Sequence, residues 1–340
     1  MKEAIVYKGP KVTIVDSPIP TPGAKQVVIK VVVSGSNPKD WKVPLWLGSE
    51  LNQGDDIAGI VHAVGPDVYE FKVGDRVAAF HEMNTPGGSY AEYALAWQHT
   101  TFHIPETTTF EEAAAIPLAA MTSAVALYRN LGLPQPWNPA TSPIPLIIYG
   151  AASAVGAYAI QLAQQSNIHP LICVAGKSTA YVETLIDRSK GDVVIDYREG
   201  DEAVVKALRS SISATEDQKL LYALDAVSEG TSFANIGKVL SPGAKLTLVL
   251  PGKNIDSVVP KHVEHSMTMV GSVHRDAKDF GFVYFRYMAR GLQEGFFKAQ
   301  PQEVVSGGLA GVEGALEKLR DGKANAVKYV FRIADTEGVE

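Results

Sequence analysis

The chain has 340 residues and a formal net charge of −6, with 46% hydrophobic and 20% charged residues. This composition is typical of a folded globular protein and excludes a disordered one. The acidic balance argues against a surface for nucleic acid or anionic membranes. Because one hydrophobic core rarely grows to this length, two domains are expected.

The single cysteine, Cys173, lies in an apolar run and cannot form an internal disulfide. It therefore indicates a reducing compartment and a role in core packing. The first ten residues include Glu3 and too short an apolar run for a signal peptide, and no stretch has the length of a membrane span. We expect a cytoplasmic protein without membrane or nucleic-acid partners.

The first hundred residues indicate β structure, in short runs of Val and Ile punctuated by Gly, Pro and Asp. The predicted strands are 4–7, 11–16, 26–35, 57–65, 75–80 and 89–96. Thr109 and Glu112 have the spacing of a capping box at the start of the helical run 111–120. The segment 134–145 holds five prolines and is interpreted as an irregular connection between domains.

From residue 146 the pattern changes to alternating strands and helices, which fits a doubly wound α/β sheet. The predicted strands are 146–149, 170–175, 193–196, 220–225, 244–250 and 267–273, and the predicted helices 155–166, 178–188, 201–213 and 230–240. The tail has helices near 276–295 and 311–321 and a final strand at 326–333. That strand stands apart from the alternation and could complete the first domain.

The segment 144–166 is a strand, a tight turn and an amphipathic helix, as at the start of a dinucleotide-binding βαβ unit. Gly150 and Gly156 are present, but G-x-G-x-x-G is not met, because the residues between them are Ala, Ala, Ser, Ala and Val. Any buried turn between a strand and a helix is the alternative interpretation. The coenzyme-binding candidates are Ser153, Ala154, Val155 and Gly156, because small side chains and a helix N-terminus let the backbone approach a pyrophosphate.

Several segments together resemble the medium-chain dehydrogenase/reductase superfamily in its zinc-free quinone-oxidoreductase branch, and most of all the fungal trans-acting enoyl reductases of the lovastatin-pathway type. The matching segments are 34–42, 54–65, 71–80, 87–96, 111–124, 150–156, 193–199 and 308–333. The resemblance implies a GroES-like β domain at 1–121, a Rossmann NADPH-binding domain at 122–274 and a part at 275–340 that completes the first domain. It also implies an active site in the cleft between the domains.

The resemblance further implies that no metal is bound. Where zinc relatives carry their catalytic ligands, this chain has Asn37, Asp55 and, near the third position, Leu118 or Ala119. A carboxylate site at Asp55 and Asp56 would lack His or Cys partners at ligand spacing. Of the eight histidines, His265 and His274 lie near a strand end and are interpreted as ordinary surface residues.

Without a metal, reduction of an α,β-unsaturated carbonyl or a quinone is the favoured chemistry, since hydrogen-bond donors can stabilise the enolate that develops. The resemblance gives three catalytic candidates. Lys42 would donate to the carbonyl or bind the nicotinamide ribose, or else be a solvated lysine. Asn37 would face the cleft, or form a turn before Pro38. Thr122 would lie near the nicotinamide amide, or bond back to its own helix.

The second Rossmann strand predicts the preferred coenzyme. NAD sites usually place an acid at its end for the ribose 2′-hydroxyl, whereas here Lys177 and Ser178 follow the strand. A cation and a hydroxyl attract a 2′-phosphate, so NADPH is predicted, although Lys177 alone could be a solvated lysine. Resemblance adds Tyr197 near this phosphate or the adenine, and Val249 beside the nicotinamide.

The sequence thus favours an NADPH-dependent, zinc-independent enoyl or quinone reductase. Two alternatives are a non-catalytic NADPH-binding protein of the same fold and a zinc alcohol dehydrogenase. The partners would be a small-molecule or acyl substrate and, for a carrier-bound chain, a carrier protein or polyketide synthase. Both a monomer and a homodimer fit the sequence.

Overall fold

The computed structural model describes residues 1–212 and 219–339. Residue 213, the predicted end of a helix, lies outside this part of the chain. The chain forms two compact units, one from Met1–Met121 with Gly271–Glu340 and one from Thr122–Val270. The proline-rich segment 134–145 has no helix or strand and lies inside the second unit. It is therefore not the interdomain connection that its composition predicted.

The first unit is mainly antiparallel β structure, as the Val- and Ile-rich runs predict. Its strands are β1 (Lys2–Tyr7), β2 (Lys11–Asp16), β3 (Gln26–Gly35), β4 (Asp56–Val64), β5 (Arg76–Phe80), β6 (Tyr93–Trp97), β7 (Thr101–His103), β14 (Gln302–Val304) and β15 (Lys328–Arg332). Its helices are α1 (Lys39–Leu47), α2 (Phe110–Ala114), α9 (Lys278–Glu294) and α10 (Val312–Arg320), and α3 (Pro117–Ala124) begins here.

Strand β3 is the centre of this unit's seven-stranded sheet. It pairs along its length with β4, while its first half pairs with β6 and its last three residues pair with β15. The tail strand thus joins the N-terminal strands, which agrees with the expectation that the tail completes this domain. Alternate side chains of the sheet, such as Val27, Ile29 and Phe331, are fully buried in one hydrophobic core.

One helix in this unit begins where the sequence indicates. Thr109 and Glu112 form the predicted capping box before α2, with each side chain bound to the other residue's backbone. The predicted continuous helix 111–120 is interrupted between α2 and α3. Pro117 explains the interruption, because a proline disfavours helical geometry in the residue before it and begins a new helix readily.

The second unit is a doubly wound α/β domain. Its strands are β8 (Leu146–Tyr149), β9 (Leu171–Ala175), β10 (Val193–Asp196), β11 (Tyr222–Asp225), β12 (Lys245–Leu248) and β13 (Glu264–Met267). Its helices are α4 (Ala154–Gln165), α5 (Thr179–Glu183), α6 (Asp201–Ser210), α7 (Ser232–Gly237) and α8 (Ile255–Val258), with a π-helical turn at Val125–Asn130. The described strands are parallel, in the order β10-β9-β8-β11-β12-β13.

The strand order reverses between β8 and β11, so the loops that follow these two strands form the switch point where doubly wound sheets bind nucleotides. Cys173 on β9 is fully buried in the sheet, as its apolar run predicts. Burial raises the pKa of its thiol well above the usual range.

The sixth strand is the one that the sequence placed wrongly. Its prediction at 267–273 rested on apolar residues, whereas β13 is Glu264–Met267 and Val270–His274 forms a 3-10 turn. Edge strands are often polar, and Met267 and Met269 are exposed here. Among the described residues, no helix combines the length and apolar character needed to cross a bilayer.

Candidate functional site

The loop after β8 brings four predicted coenzyme-binding residues together at the first turn of α4. Ser153 is the N-cap, and its hydroxyl accepts a hydrogen bond from the Gly156 N–H at 3.1 Å. The N–H groups of the next two residues, Ala154 and Val155, have no acceptor within a helix at this position. The half-buried backbone here thus offers donors to an anion.

Gly156 and Gly150 make the turn tight. A Cβ on Gly156 would lie 2.3 Å from the Gly150 carbonyl oxygen and 2.7 Å from Ala151 Cα. Gly150 has a φ of +81°, and a Cβ on it would lie 2.6 Å from Val227 after β11. The backbone is therefore packed too tightly at both positions for a side chain, as expected of the turn at the switch point of a dinucleotide-binding fold.

The next loop carries the residues predicted at the coenzyme's 2′-phosphate. Lys177 is exposed and Ser178 is half-buried, directly after β9. The ring of Tyr197 lies over Gly176, where a Cβ would be 2.5 Å from the ring. The Tyr197 side chain therefore lies beside the loop that holds Lys177 and Ser178.

An acid that the sequence interpretation did not weigh lies at the same sheet edge. Asp196 is the last residue of β10 and is the register partner of Ala175 at the end of β9. Arg198 donates to both Asp196 oxygens, with its Nε at 2.9 and 3.0 Å. The hydrogen bonds from Arg198 lower the pKa of Asp196 to about 2. Asp196 is thus already paired with Arg198. The spacing of Asp and Arg in I-D-Y-R is the sequence signal that could have predicted this pair.

Two further candidates lie in this unit. The Val249 N–H donates to the Ser228 hydroxyl at 2.9 Å, so a backbone contact from Val249 to a coenzyme would use its carbonyl. Thr122 lies near the end of α3 and is 6% exposed. Both assignments remain predictions.

In the other unit, helix α1 carries Lys42. This residue is 6% exposed, and its ammonium lies 5.3 Å from the ring centroid of Trp41 and 5.9 Å from that of Trp46. Both distances are within the range of cation–π contacts. Lys42 is therefore held against aromatic rings, which disfavours the alternative of a fully solvated lysine.

Asn37 lies in a buried polar cluster that joins the start of α1 to β4 and β15. Its amide nitrogen donates to Asp56 Oδ2 at 2.8 Å, and its amide oxygen accepts from the Lys328 ammonium at 2.7 Å. Lys328 also pairs with Asp56 at 2.7 Å. These contacts favour a structural role for Asn37 over a catalytic one.

A second buried cluster surrounds Asp55 and Asp40. Lys39 forms ion pairs with both carboxylates, and His81 Nδ1 lies 3.0 Å from Asp55 Oδ1. The Tyr90 hydroxyl donates to Asp40 Oδ2 at 2.6 Å, and the Asn37 N–H donates to the same oxygen at 2.7 Å. Asp40 thus orders the turn before α1, and Asp55 is engaged by protein partners.

The two carboxyl groups of this cluster titrate differently. Burial raises the pKa of Asp40 to about 6, more than the Lys39 charge lowers it. Burial would also raise the pKa of Asp55, but the charges of Lys39 and His81 and the hydrogen bonds from both outweigh it and lower that pKa. Asp55 is therefore the stronger acid of the pair.

Sequence reasoning missed Lys39, His81 and Lys328, whose charged partners carry no recognisable motif in the sequence and, for Lys328, lie 272 residues away. The interpretation of His274 as a surface residue is wrong, since it is 6% exposed and its Nε2 lies 3.2 Å from the Phe80 carbonyl. Burial lowers its pKa to about 4. No group of three or more metal-ligating side chains is found within residues 1–212 and 219–339.

Known proteins are similar to this chain along most of its length. The model of the alcohol dehydrogenase GroES-like domain matches residues 23–106. The trans-enoyl reductase fsr4 of Gibberella fujikuroi is 55% identical over 316 residues, which cover 92% of each chain. The trans-enoyl reductase resD of Aspergillus sclerotiorum is 32% identical over 350 residues, covering 94% of this chain and 96% of the other.

Solved structures share the fold at lower identity. A mycobacterial protein complexed with NADPH superposes with a TM-score of 0.76 at 21% identity, over 97% of this chain and 99% of the other. At this identity the likeness concerns the fold alone.

Proposed function

The chain belongs to the trans-enoyl reductases of the medium-chain dehydrogenase/reductase superfamily, and from this premise we propose that it reduces the carbon–carbon double bond of an α,β-unsaturated carbonyl compound with NADPH and without a metal. The observation that carries the proposal is 55% identity to a trans-enoyl reductase along 92% of the chain. The protein is an oxidoreductase of the kind that uses a nicotinamide coenzyme.

The glycine turn fits this coenzyme. Gly150 and Gly156 allow the tight turn after β8, and the N–H groups of Ala154 and Val155 at the start of α4 would bind the pyrophosphate. Lys177 and Ser178 would bind the 2′-phosphate, with Tyr197 beside them. Thr122 and the Val249 carbonyl would orient the nicotinamide, which supplies the hydride.

The remaining requirement is a donor for the carbonyl oxygen, where negative charge develops as the double bond is reduced. Lys42 is our candidate for this donor or for binding the ribose, because the rings of Trp41 and Trp46 hold its ammonium in place. Asp55 and Asn37, at the positions of the zinc ligands in relatives, already bind protein partners. This arrangement supports a reaction without a metal.

A coenzyme-preference experiment tests the assignment of Lys177. Lys177→Ala should raise the KM for NADPH roughly 10- to 100-fold, the worth of a charge-assisted hydrogen bond. The KM for NADH should stay nearly unchanged, and the exposed Lys190→Ala is the control. A wild-type enzyme that prefers NADH would contradict the assignment.

Oxidation of NADPH with a panel of enones, quinones and carrier-bound enoyl thioesters tests the reaction itself. Turnover of enoyl thioesters would support a carrier protein or polyketide synthase as the partner that delivers the acyl chain. Coenzyme binding without turnover of any acceptor would instead favour the non-catalytic alternative. A requirement for added zinc would contradict the metal-free reaction.

A further inference from the structure

Lys39 is a cation enclosed by the first unit. Its side chain is 16% exposed, and its ammonium pairs with Asp40 Oδ1 at 3.1 Å and with Asp55 Oδ2. It also donates to the Gln53 carbonyl oxygen at 2.5 Å. Two carboxylate oxygens and one carbonyl oxygen of the protein surround this ammonium, in two ion pairs and one hydrogen bond. Lys39 is therefore engaged within the protein rather than available to a substrate.

The acceptors come from two parts of the chain. Asp40 is the second residue of α1, whereas Gln53 and Asp55 lie in the segment that leads into β4. The Lys39 ammonium thus ties the first turn of α1 to the segment before β4. A buried ion pair is favourable only in a good geometry. A movement of α1 would change the Lys39 contacts and cost energy, so these contacts restrict how α1 can move.

Each carboxylate has a second anchor. His81, directly after β5, binds the other oxygen of Asp55, and the Tyr90 hydroxyl binds Asp40. The side chains of His81, Asp55 and Tyr90 are almost fully buried. The cation is therefore fixed by groups that are themselves held by the sheet.

We propose that Lys39 is a positioning residue whose ammonium fixes the first turn of α1 and thereby sets the position of Lys42, one turn further along the same helix. Its effect on the reaction rests on the proposed function of Lys42, whereas its effect on α1 does not.

Hydrogen exchange tests the effect on the helix without any activity assay. In Lys39→Met, the amides of α1 (Lys39–Leu47) should exchange about 10-fold faster than in the wild type, because local opening becomes easier. The exposed Lys8→Met is the control and should leave α1 unchanged. Unchanged exchange of α1 in Lys39→Met would overturn the proposal. If that variant does not fold, Lys39→Met/Asp55→Asn, which removes one carboxylate with the cation, replaces it in the comparison.

Chemical rescue separates the charge from the packing of the side chain. Propylamine at millimolar concentration should restore slow exchange of α1 in Lys39→Ala, and propanol should not. Equal effects of the amine and the alcohol would show that the cation is not what fixes the helix, and would overturn the proposal.

A double-variant cycle tests the link to Lys42. Lys39→Met should lower kcat for enone reduction roughly 10- to 100-fold by misplacing Lys42. The KM for NADPH should stay nearly unchanged where Lys42 is the carbonyl donor and should rise where Lys42 binds the ribose. In a Lys42→Ala background the same change should have no further effect on kcat. An equal loss in both backgrounds, or a Lys42→Ala variant with wild-type kcat, would overturn the link. A wild type that reduces no enone would contradict the proposed function, while the exchange of α1 would still decide the role of Lys39.

Discussion

Tyr90 and Asp40 share a hydrogen bond whose strength depends on pH. Both residues are fully buried, and the bond is 2.6 Å long. Tyr90→Phe should destabilise the protein by about 1.5–3 kcal/mol at pH 8, where Asp40 is ionised, because the carboxylate loses a charge-assisted bond. At pH 5, below the pKa of about 6, Asp40 is protonated and the loss should be smaller. Urea unfolding at both pH values measures the difference.

Proton linkage gives the direction in which the contribution of Asp40 to stability changes with pH. The folded state raises the pKa of Asp40 above its usual value of 3.8, so between pH 4 and 6 the folded protein binds more protons at this group. Its contribution to stability is therefore full below pH 4 and is lost as the pH rises through 6. Tyr69→Phe, at a side chain that is 77% exposed, is the control. A loss for Tyr90→Phe that is larger at pH 5 than at pH 8 would contradict this assignment.

The sequence predicts the surroundings of some single residues and not of others. The apolar environment of Cys173 follows from its neighbours in the chain. The partners of Asn37 do not, because both reach it through strand pairing: Asp56 lies 19 residues away and Lys328 lies 291 residues away. A lysine that pairs across a fold looks like any surface lysine in a single sequence.

At the scale of elements, two helical glycines differ in the space that a side chain would find. A Cβ on Gly156 in α4 would lie 2.3 Å from a backbone oxygen, whereas a Cβ on Gly314 in α10 would meet no atom within 4 Å. Gly156→Ala should therefore cost about 1–3 kcal/mol of stability through crowding and weaken NADPH binding. Urea unfolding and a fluorescence titration with NADPH measure the two effects.

Gly314→Ala is the matched variant in the other unit. Alanine at this exposed position of α10 should stabilise the protein by about 0.5–1 kcal/mol, because glycine loses more conformational entropy when a helix forms. Its NADPH affinity should stay unchanged. Equal destabilisation by both substitutions would show that the two sites do not differ as the Cβ distances indicate.

Strands of the two sheets were predicted well where burial and β-branched residues coincide. β8 has the predicted bounds, since a parallel strand covered on both faces is a continuous apolar run. β10 has them although it is a half-buried edge strand, because Val193, Val194 and Ile195 are β-branched. β13 was shifted because Glu264–Met267 lacks such a run, and Glu264 is the register partner of Lys245 in β12. Periodicity alone carries no information about such a pairing.

At the scale of the whole molecule, the two units differ in how the chain builds them. The first unit consists of two separate segments, whereas the second is one continuous segment. The resemblance implied an interrupted first domain, and β15 pairs with β3 across about 300 residues. The composition of the tail does not predict this pairing. The expectation of this pairing came from the resemblance to the family and from the position of a single predicted strand after two predicted helices.

This difference predicts how fragments behave. A fragment of residues 122–270 holds six parallel strands and their core, so it should unfold cooperatively when heated. It also contains Lys177, Ser178 and Tyr197, and should therefore bind 2′,5′-ADP at least about 10-fold more tightly than 5′-ADP, since only the former has the 2′-phosphate. Circular dichroism and calorimetry measure these two properties.

The fragment 1–121 is the contrasting case. It lacks β15 and Lys328, so the last residues of β3 lose a neighbouring strand and Asp56 loses its buried cation. Breaking a buried ion pair by removing one partner costs about 3–5 kcal/mol, a large share of the stability of one domain. We therefore expect no cooperative melting of 1–121 alone, and recovery of a cooperative transition when residues 271–340 are joined to it by a flexible linker. A stable, cooperative 1–121 would show that the tail is dispensable for this unit.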